Sequence, residues 1–261
     1  LAETVTSSAM FLAWVAHATK RIRLGAGTIN MPNNHPAAVA SQIAMLDHML
    51  DGRLNFGISP GGLMSDAECF GNFENNRNEM LVEAIDTVLK IWEGDAPYDI
   101  DGQYWKVSTE RTMIPEIGQG SILKPLQKPH PPIVVTVVAP YSKGITEAAA
   151  RGWHAISANF LLPQWVATHW PNYVEGCERV GRPADPADWR VAKSIFVADD
   201  LVIWGTPGKV ADELLAFREQ VGEFGTLLYA GKDWQDRELG RRSMILLAEK
   251  VLPAINSAIS E

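Results

Sequence analysis

The stretch from Arg21 to Gly62, RIRLGAGTINMPNNHPAAVASQIAMLDHMLDGRLNFGISPGG, constrains the fold more than any other part of the chain, because it runs strand, loop, helix and strand in one reading. Ile22 to Ile29 has the apolar continuity of a buried strand. Pro36 marks the first turn of a helix, and Val39, Ile43, Leu46 and Leu50 fall on one face of it. Arg53 to Ser59 is the next strand. A strand, a crossover helix and a parallel strand make one right-handed βαβ unit, and ligands of such units sit where the strands end. The side chains at these two ends are Thr28, Asn30 and Ser59, none of them acidic.

The same period continues along the chain. Ile133 to Val138, His154 to Asn159, Val191 to Ala198 and Thr226 to Ala230 read as strands. Helical spacing joins Leu81, Ile85, Val88 and Trp92, then Trp165 to Val180 with a stop at Gly181, then Val210 to Val221 with a stop at Gly222. Alternation of this kind predicts a parallel sheet. Between Ile100 and Pro132 the periodicity gives way to Pro, Gly and Gln, which predicts a long excursion on one face. Only six strands are countable in the sequence, whereas a closed barrel needs eight. The expected fold is therefore α/β, a (β/α)8 TIM barrel forming one domain over residues 1–261, with its first two strands absent from the sequence. A second discontinuity falls at Asp200 and Leu201, where one strand-like run ends and another apolar run begins. It predicts residues joined over at that point and a mobile lid around it.

Composition narrows the chemistry. A chain of 261 residues, 46% of them apolar, can bury a substantial core, and a net charge of -8 argues against nucleic-acid partners. Cys69 and Cys177 form neither a disulfide framework nor a CxxC motif, which points to a reducing, cytoplasmic setting. No run approaches the roughly 20 apolar residues of a membrane span. The six histidines include no HExxH pair, so metal is not expected; His17 and His48 read as structural and His35 as the lead-in to the helix at Pro36. Gly25-Ala26-Gly27 fails as a dinucleotide fingerprint, because Asn30 stands at the third glycine position and the helix starts late; close packing is the default for these glycines. The GISPGG run is neither a P-loop nor a nucleophile elbow, but its backbone N–H groups and small side chains suit a flat ring.

At the strand ends stand Asn30, Ser59, Ala139, Asn159, Asp199 and Lys232. A hydrolase working through paired carboxylates would place acids at separate ends, and only Asp199 and Asp200 qualify, on one end. The chemistry is therefore expected to come from a bound cofactor. Ser142 reads as the N-cap of an alanine-rich helix, where free amides and the Lys143 charge make a phosphate site; an ordinary capped helix explains the same residues equally well. Trp105, Trp204 and Trp234 lie near loops and are the pocket candidates among the tryptophans.

The blocks RIRLGAGTINMPNNHP, AMLDHMLDGRLNFGISPG, VVAPYSKGITEAAARGW, VIWGTPGKVADELLAF and FGTLLYAGKDW together resemble the bacterial luciferase-like flavin monooxygenases, most of all the limonene and hydrocarbon monooxygenase branch. The likeness runs from about Thr19 to the C-terminus. It implies a TIM barrel holding flavin mononucleotide (FMN) at its C-terminal mouth. Gly27 and Thr28 would approach the ring through backbone, Ser59 and Asn159 would hydrogen-bond its edge, and Asn30 would be a further cofactor-binding residue. Pro140, Tyr141, Ser142, Lys143 and Gly144 would hold the phosphate. The resemblance also implies a non-proline cis peptide at Gly27–Thr28. Reduced FMN would react with O2 to give a C4a-(hydro)peroxide that passes one oxygen atom to an apolar small molecule such as a terpene, ketone or aldehyde. A separate NAD(P)H-flavin reductase would supply the reduced flavin, and assembly with further copies of the chain is expected. Two departures limit the carry-over. Ser59 stands where luciferases have cysteine, so light emission is not implied, and the family's Glu-His-His segment is not in the sequence, so no catalytic acid or base is assigned. Two rival readings remain: a deazaflavin (F420)-dependent oxidoreductase transferring hydride on the same fold, and a flavin-binding protein without turnover.

Overall fold

In a computed structural model of the chain, residues 6–195, 203, 205–230 and 237–260 are described. The expectations placed on Asp199, Lys232, Trp204, Trp234 and the Asp200–Leu201 join lie outside them. Contacts divide the chain into two compact units, residues 1–134 and 135–261.

The first unit opens with α1 (Ser8–Val15), whose Ser7 side chain accepts the Met10 N–H as an N-cap. The strand expected over Ile22 to Ile29 is interrupted: β1 is Leu24–Gly25 and β2 is Ile29–Asn30, both parallel to β3 (Leu54–Ser59). The register shows why. Gly25 pairs with Asn55 and Ile29 with Ile58, so the first strand advances four residues while β3 advances three. The extra residue is a bulge at Ala26 to Thr28, and it contains the cis peptide Gly27–Thr28 that the family likeness implied. Side chains alternate along a strand, so an unbroken run from Gly25 would have put Ile29 beside β3's polar face; the bulge puts Asn30 there instead, opposite Ser59.

Between β2 and β3 runs α2 (Pro36–Met49), which starts at His35 with its ring nitrogen accepting the Ala37 N–H. Val39, Ala40, Ile43 and Leu46 bury its inner face. Leu54, Phe56 and Ile58 form the helix-covered face of β3, and Phe56 meets the Trp92 ring edge-on at 5.9 Å. Trp92 belongs to α4 (Arg77–Glu93), which follows the short α3 (Met64–Cys69). The expected excursion after α4 is not without structure. It contains an antiparallel pair, β4 (Asp99–Asp101) and β5 (Lys106–Ser108), whose turn is held by Glu83 accepting the N–H groups of Gln103, Tyr104 and Trp105. Trp105 thus sits in a hairpin turn, its ring tilted against that of Tyr104 at 6.0 Å.

The second unit continues the period. β6 (Ile133–Val137) leads to α5 (Lys143–Ala150), β7 (His154–Ser157), α6 (Pro163–Val166), α7 (His169–Arg179), β8 (Trp189–Ser194), α8 (Pro207–Val221) and β9 (Thr226–Ala230). β7, β8 and β9 are parallel neighbours, with Ser157 opposite Val191 and Ser194 opposite Ala230. Gly181 and Gly222 both take positive φ (68° and 94°) after their helices, as their stop positions required. The one long helix expected over Trp165 to Val180 is two, because Thr168 takes the Trp165 carbonyl with both its N–H (3.2 Å) and its hydroxyl (2.6 Å) and closes the chain into a turn. Tyr173, Trp189, Val191 and Phe217 centre the core. A helical tail, α9 (Arg237–Leu246), a π-helical turn at Leu247–Val251 and α10 (Leu252–Ser260), ends the chain. Cys69 and Cys177 are both unpaired.

Candidate active site

The bulge brings Thr28, Asn30 and Ser59 into one hydrogen-bonded chain at the ends of β2 and β3. The Thr28 hydroxyl donates to Ser59 Oγ (2.6 Å), and the Ser59 hydroxyl donates to Asn30 Oδ1 (2.7 Å). Ser59 Oγ also accepts the Gly61 N–H at 3.3 Å. Its one proton and both its lone pairs are thereby engaged, and it is 7% exposed. A ring edge would find its donor next door, in the Asn30 side-chain amide nitrogen, which makes no hydrogen bond among the described residues.

Glycines shape this cluster in two opposite ways. A β-carbon at Gly57 would overlap the Ala26 carbonyl oxygen, so the bulge and β3 touch backbone to backbone there. At Gly27 and Gly62 a β-carbon would meet nothing within 4 Å. The close-packing expectation for Gly25 and Gly27 therefore holds at Gly25, where a β-carbon would lie 2.9 Å from the Asn55 carbonyl oxygen, and fails at Gly27, which presents open backbone. A polar cavity of about 180 Å³ behind the cluster is lined by Thr28, Asn30, Asn33, Asn34, Gln42 and Asp66. It is smaller than the roughly 300 Å³ at which small-molecule pockets begin. A larger hollow of about 520 Å³ lies along α4 among Glu79, Glu83, Asp86 and Asp101. Glu83 is already committed to the β4–β5 turn, so that hollow is part of the scaffold.

In the second unit Pro140, Tyr141 and Ser142 lead into α5, whose first two residues are Lys143 and Gly144. Ser142 is the residue preceding the helix, but its hydroxyl makes no capping bond, contrary to the expected N-cap interaction. The hydroxyl and the first-turn amides of α5 are left for another partner, and Lys143 is exposed. Tyr141 adopts a left-handed conformation at φ 54° and is 74% exposed. Three side chains from the start of α7 hold this loop from behind. Thr168 Oγ1 accepts the Tyr141 N–H (2.9 Å), His169 Nε2 donates to the Ala139 carbonyl (2.9 Å), and Asn172 Nδ2 donates to the Ser142 carbonyl (3.1 Å). Asn159, at the end of β7, donates to Ser194 Oγ at 2.7 Å.

The state of His169 follows from its partners. A carbonyl only accepts, so the proton is on Nε2; burial lowers the ring's affinity for a second proton, outweighing the Ala139 hydrogen bond that favours it. Nδ1 is then an acceptor. Ser157 donates to it at 2.7 Å and itself accepts from the Trp189 indole at 2.9 Å. Ser157, His169 and Trp189 are completely buried.

Thr168, His169 and Asn172 escape a reading by periodicity because they fall inside what scans as one helix. The available signal is Pro171, since proline favours the first turn of a new helix and so marks a break just before it. Among the described residues no group of acids, histidines and cysteines is placed to hold a metal, and no helix is long and apolar enough to cross a membrane.

The chain is similar to several known proteins in sequence and in fold. The 4-hydroxyprotoasukamycin monooxygenase of Streptomyces nodosus subsp. asukaensis is 29% identical over 98% of this chain and 80% of its own length. Limonene 1,2-monooxygenase of Rhodococcus erythropolis is 24% identical over 97% and 74%. The oxygenating constituent of 3,6-diketocamphane monooxygenase of Pseudomonas putida, solved with FMN, superimposes with a TM-score of 0.84 at 22% identity, covering 94% of this chain and 83% of that one. An F420-dependent secondary alcohol dehydrogenase, solved with an F420-acetone adduct, gives 0.74 at 19%, covering 96% and 84%. The two structural likenesses speak for the fold alone, an α/β fold of the TIM-barrel type. With its family model matching residues 1–201, the chain belongs to the luciferase-like monooxygenases.

Proposed function

We propose that this chain is the oxygenating component of a flavin-dependent monooxygenase that uses reduced FMN and O2 on an apolar small molecule, with the reduced flavin delivered by a separate reductase. The observation that carries the reading is the Thr28–Ser59–Asn30 chain beside open backbone at Gly27: a strand end made of neutral hydroxyls and an amide that are hydrogen-bonded to one another. Such an end suits a cofactor that brings its own reactivity. Bound reduced flavin would supply oxygen activation. The residues supply position: Gly27 and Gly62 leave room for a ring, Asn30 presents an amide donor to its edge, and Ser59 fixes Asn30. In the second unit, the free Ser142 hydroxyl, the α5 amides and Lys143 offer donors and positive charge to a phosphate. The named activities of the two sequence relatives, both monooxygenases, support the same reading.

The test is turnover of a terpene or cyclic ketone by the purified chain with NADH, FMN and a flavin reductase under 18O2. Expected are substrate-stimulated oxygen uptake and one 18O atom in the product, both abolished when the reductase is omitted. Hydride transfer with F420 and no label in the product would overturn the reading in favour of the deazaflavin enzyme. Tight FMN binding with no turnover of any substrate class would make the protein a flavin carrier.

A further inference from the structure

The loop expected to receive the phosphate is held by a helix other than the one it leads into. We propose that the first turn of α7 is a clamp, with Thr168, His169 and Asn172 as positioning residues that set the loop Ala139 to Gly144 for a phosphate monoester; the proposal rests on the reading of that loop as the phosphate site.

Three consecutive features of the loop are each tied by a different side chain: the Ala139 carbonyl by His169, the Tyr141 N–H by Thr168, and the Ser142 carbonyl by Asn172. The spacing is what a helix start allows. Residues 168 and 172 lie one turn apart on the same face and 169 stands beside them. Each of the three is already engaged. The Thr168 hydroxyl donates to the Trp165 carbonyl, His169 is fixed by Ser157, and Asn172 reaches the loop through its amide nitrogen. The clamp grips the loop where the backbone departs most from ordinary conformation, at Tyr141 with φ 54°.

The base of the clamp is equally fixed. A β-carbon at Gly176 of α7 would overlap the Thr146 carbonyl oxygen of α5, so the two helices are in backbone contact one turn beyond the clamp. Arg182 donates to the Ala149 carbonyl at 2.9 Å, adding a tie at the far end of α5. The loop is therefore held on both sides, by β6 entering it and by α5 leaving it, against one rigid element. What remains without a partner among the described residues is the set a phosphate needs: the Ser142 hydroxyl, the first α5 amides and the Lys143 ammonium. Binding to a loop already in its bound shape avoids the entropy of ordering it.

The experiment compares FMN with riboflavin, which differs only by the phosphate, in titrations of the whole chain. Thr168→Val and Asn172→Ala are each expected to weaken FMN by about tenfold while riboflavin changes by less than about twofold, a tenfold change being 1.4 kcal/mol. Thr168→Ser keeps the hydroxyl and is expected to restore FMN binding. Should Thr168→Val fail to fold, Asn172→Ala, at a partly exposed position, decides the matter alone. Equal losses for both ligands, or no loss for FMN, would overturn the clamp. Lys143→Glu separates the two levels of the argument. If it selectively weakens FMN while the α7 variants do not, the phosphate site stands and the clamp falls. If the wild-type chain binds FMN no more tightly than riboflavin, the phosphate site falls and takes the clamp with it.

Discussion

Gly57 and Ala26 touch with no space between them: a β-carbon at position 57 would overlap the Ala26 carbonyl oxygen. This contact seats the bulge of the first strand on β3, and the bulge in turn sets Asn30 against Ser59. Gly57→Ala is expected to push the two backbones apart at a cost of about 1–3 kcal/mol. Thermal unfolding should show a lowered midpoint, and flavin titration a loss for FMN and riboflavin alike, since both share the ring.

Lys143 carries charge at the entrance to α5 and no hydrogen bond or ion pair of it is seen among the described residues. A phosphate hydrogen bond from a charged donor contributes about 1.5–3 kcal/mol. Lys143→Glu should therefore weaken FMN by about tenfold or more and leave riboflavin nearly unchanged, by the same conversion of 1.4 kcal/mol to tenfold. Parallel losses in the two titrations would return Lys143 to the status of a solvated loop residue.

His169 predicts a pH dependence with a definite sign. Burial lowers its pKa below the ordinary 6.5, so between that value and the lower folded one the unfolded chain binds a proton that the native protein does not. Stability rises with pH across this window and is lost progressively as pH falls below 6.5. Unfolding midpoints measured downward from neutrality should fall in the wild type and fall less in His169→Gln. An identical slope in the two proteins would assign the dependence to other groups.

Lys193 stands on β8 facing α8, 2% exposed, its ammonium 5.4 Å from the Phe217 ring centre. Its Nζ has no hydrogen-bond partner among the described residues. Lys193→Met keeps the length and removes the buried polar group, and a gain of about 1–3 kcal/mol is expected. Burial lowers the lysine pKa from 10.5, so the wild type should itself gain stability as pH rises toward that value, and the advantage of the methionine should shrink. Chemical denaturation of both proteins at neutral and alkaline pH reads this directly.

The strands and most helices were legible because a chain buried on both faces of a parallel sheet writes apolar runs, as Ile133 to Val137 does. What escaped depended on contacts that no local period encodes. The bulge is visible only as a mismatch of register between Gly25–Ile29 and Asn55–Ile58. The β4–β5 pair is short and its outward residues Asp99, Asp101, Lys106 and Ser108 are exposed, so it leaves no apolar signature. The strand-end polar residues could be named in advance, but their use could not: Ser59 is saturated by its neighbours, and Ser142 precedes a helix without capping it. Thr168, His169 and Asn172 act on backbone about thirty residues earlier in the chain, and sequence spacing carries no trace of a side chain meeting a distant carbonyl.

The Trp189–Ser157–His169–Ala139 chain has a spectroscopic corollary. Its two ring N–H protons are sealed from water and each has a single acceptor, Ser157 Oγ for the indole and the Ala139 carbonyl for the imidazole. Exchange with solvent must wait for the structure to open locally, so the imidazole proton should persist as a resolved, far-downfield resonance in the NMR spectrum of the protein in water. Its donor bond ends on the first residue of the gripped loop. The protein would thus carry its own probe of that loop, readable without a label or a ligand.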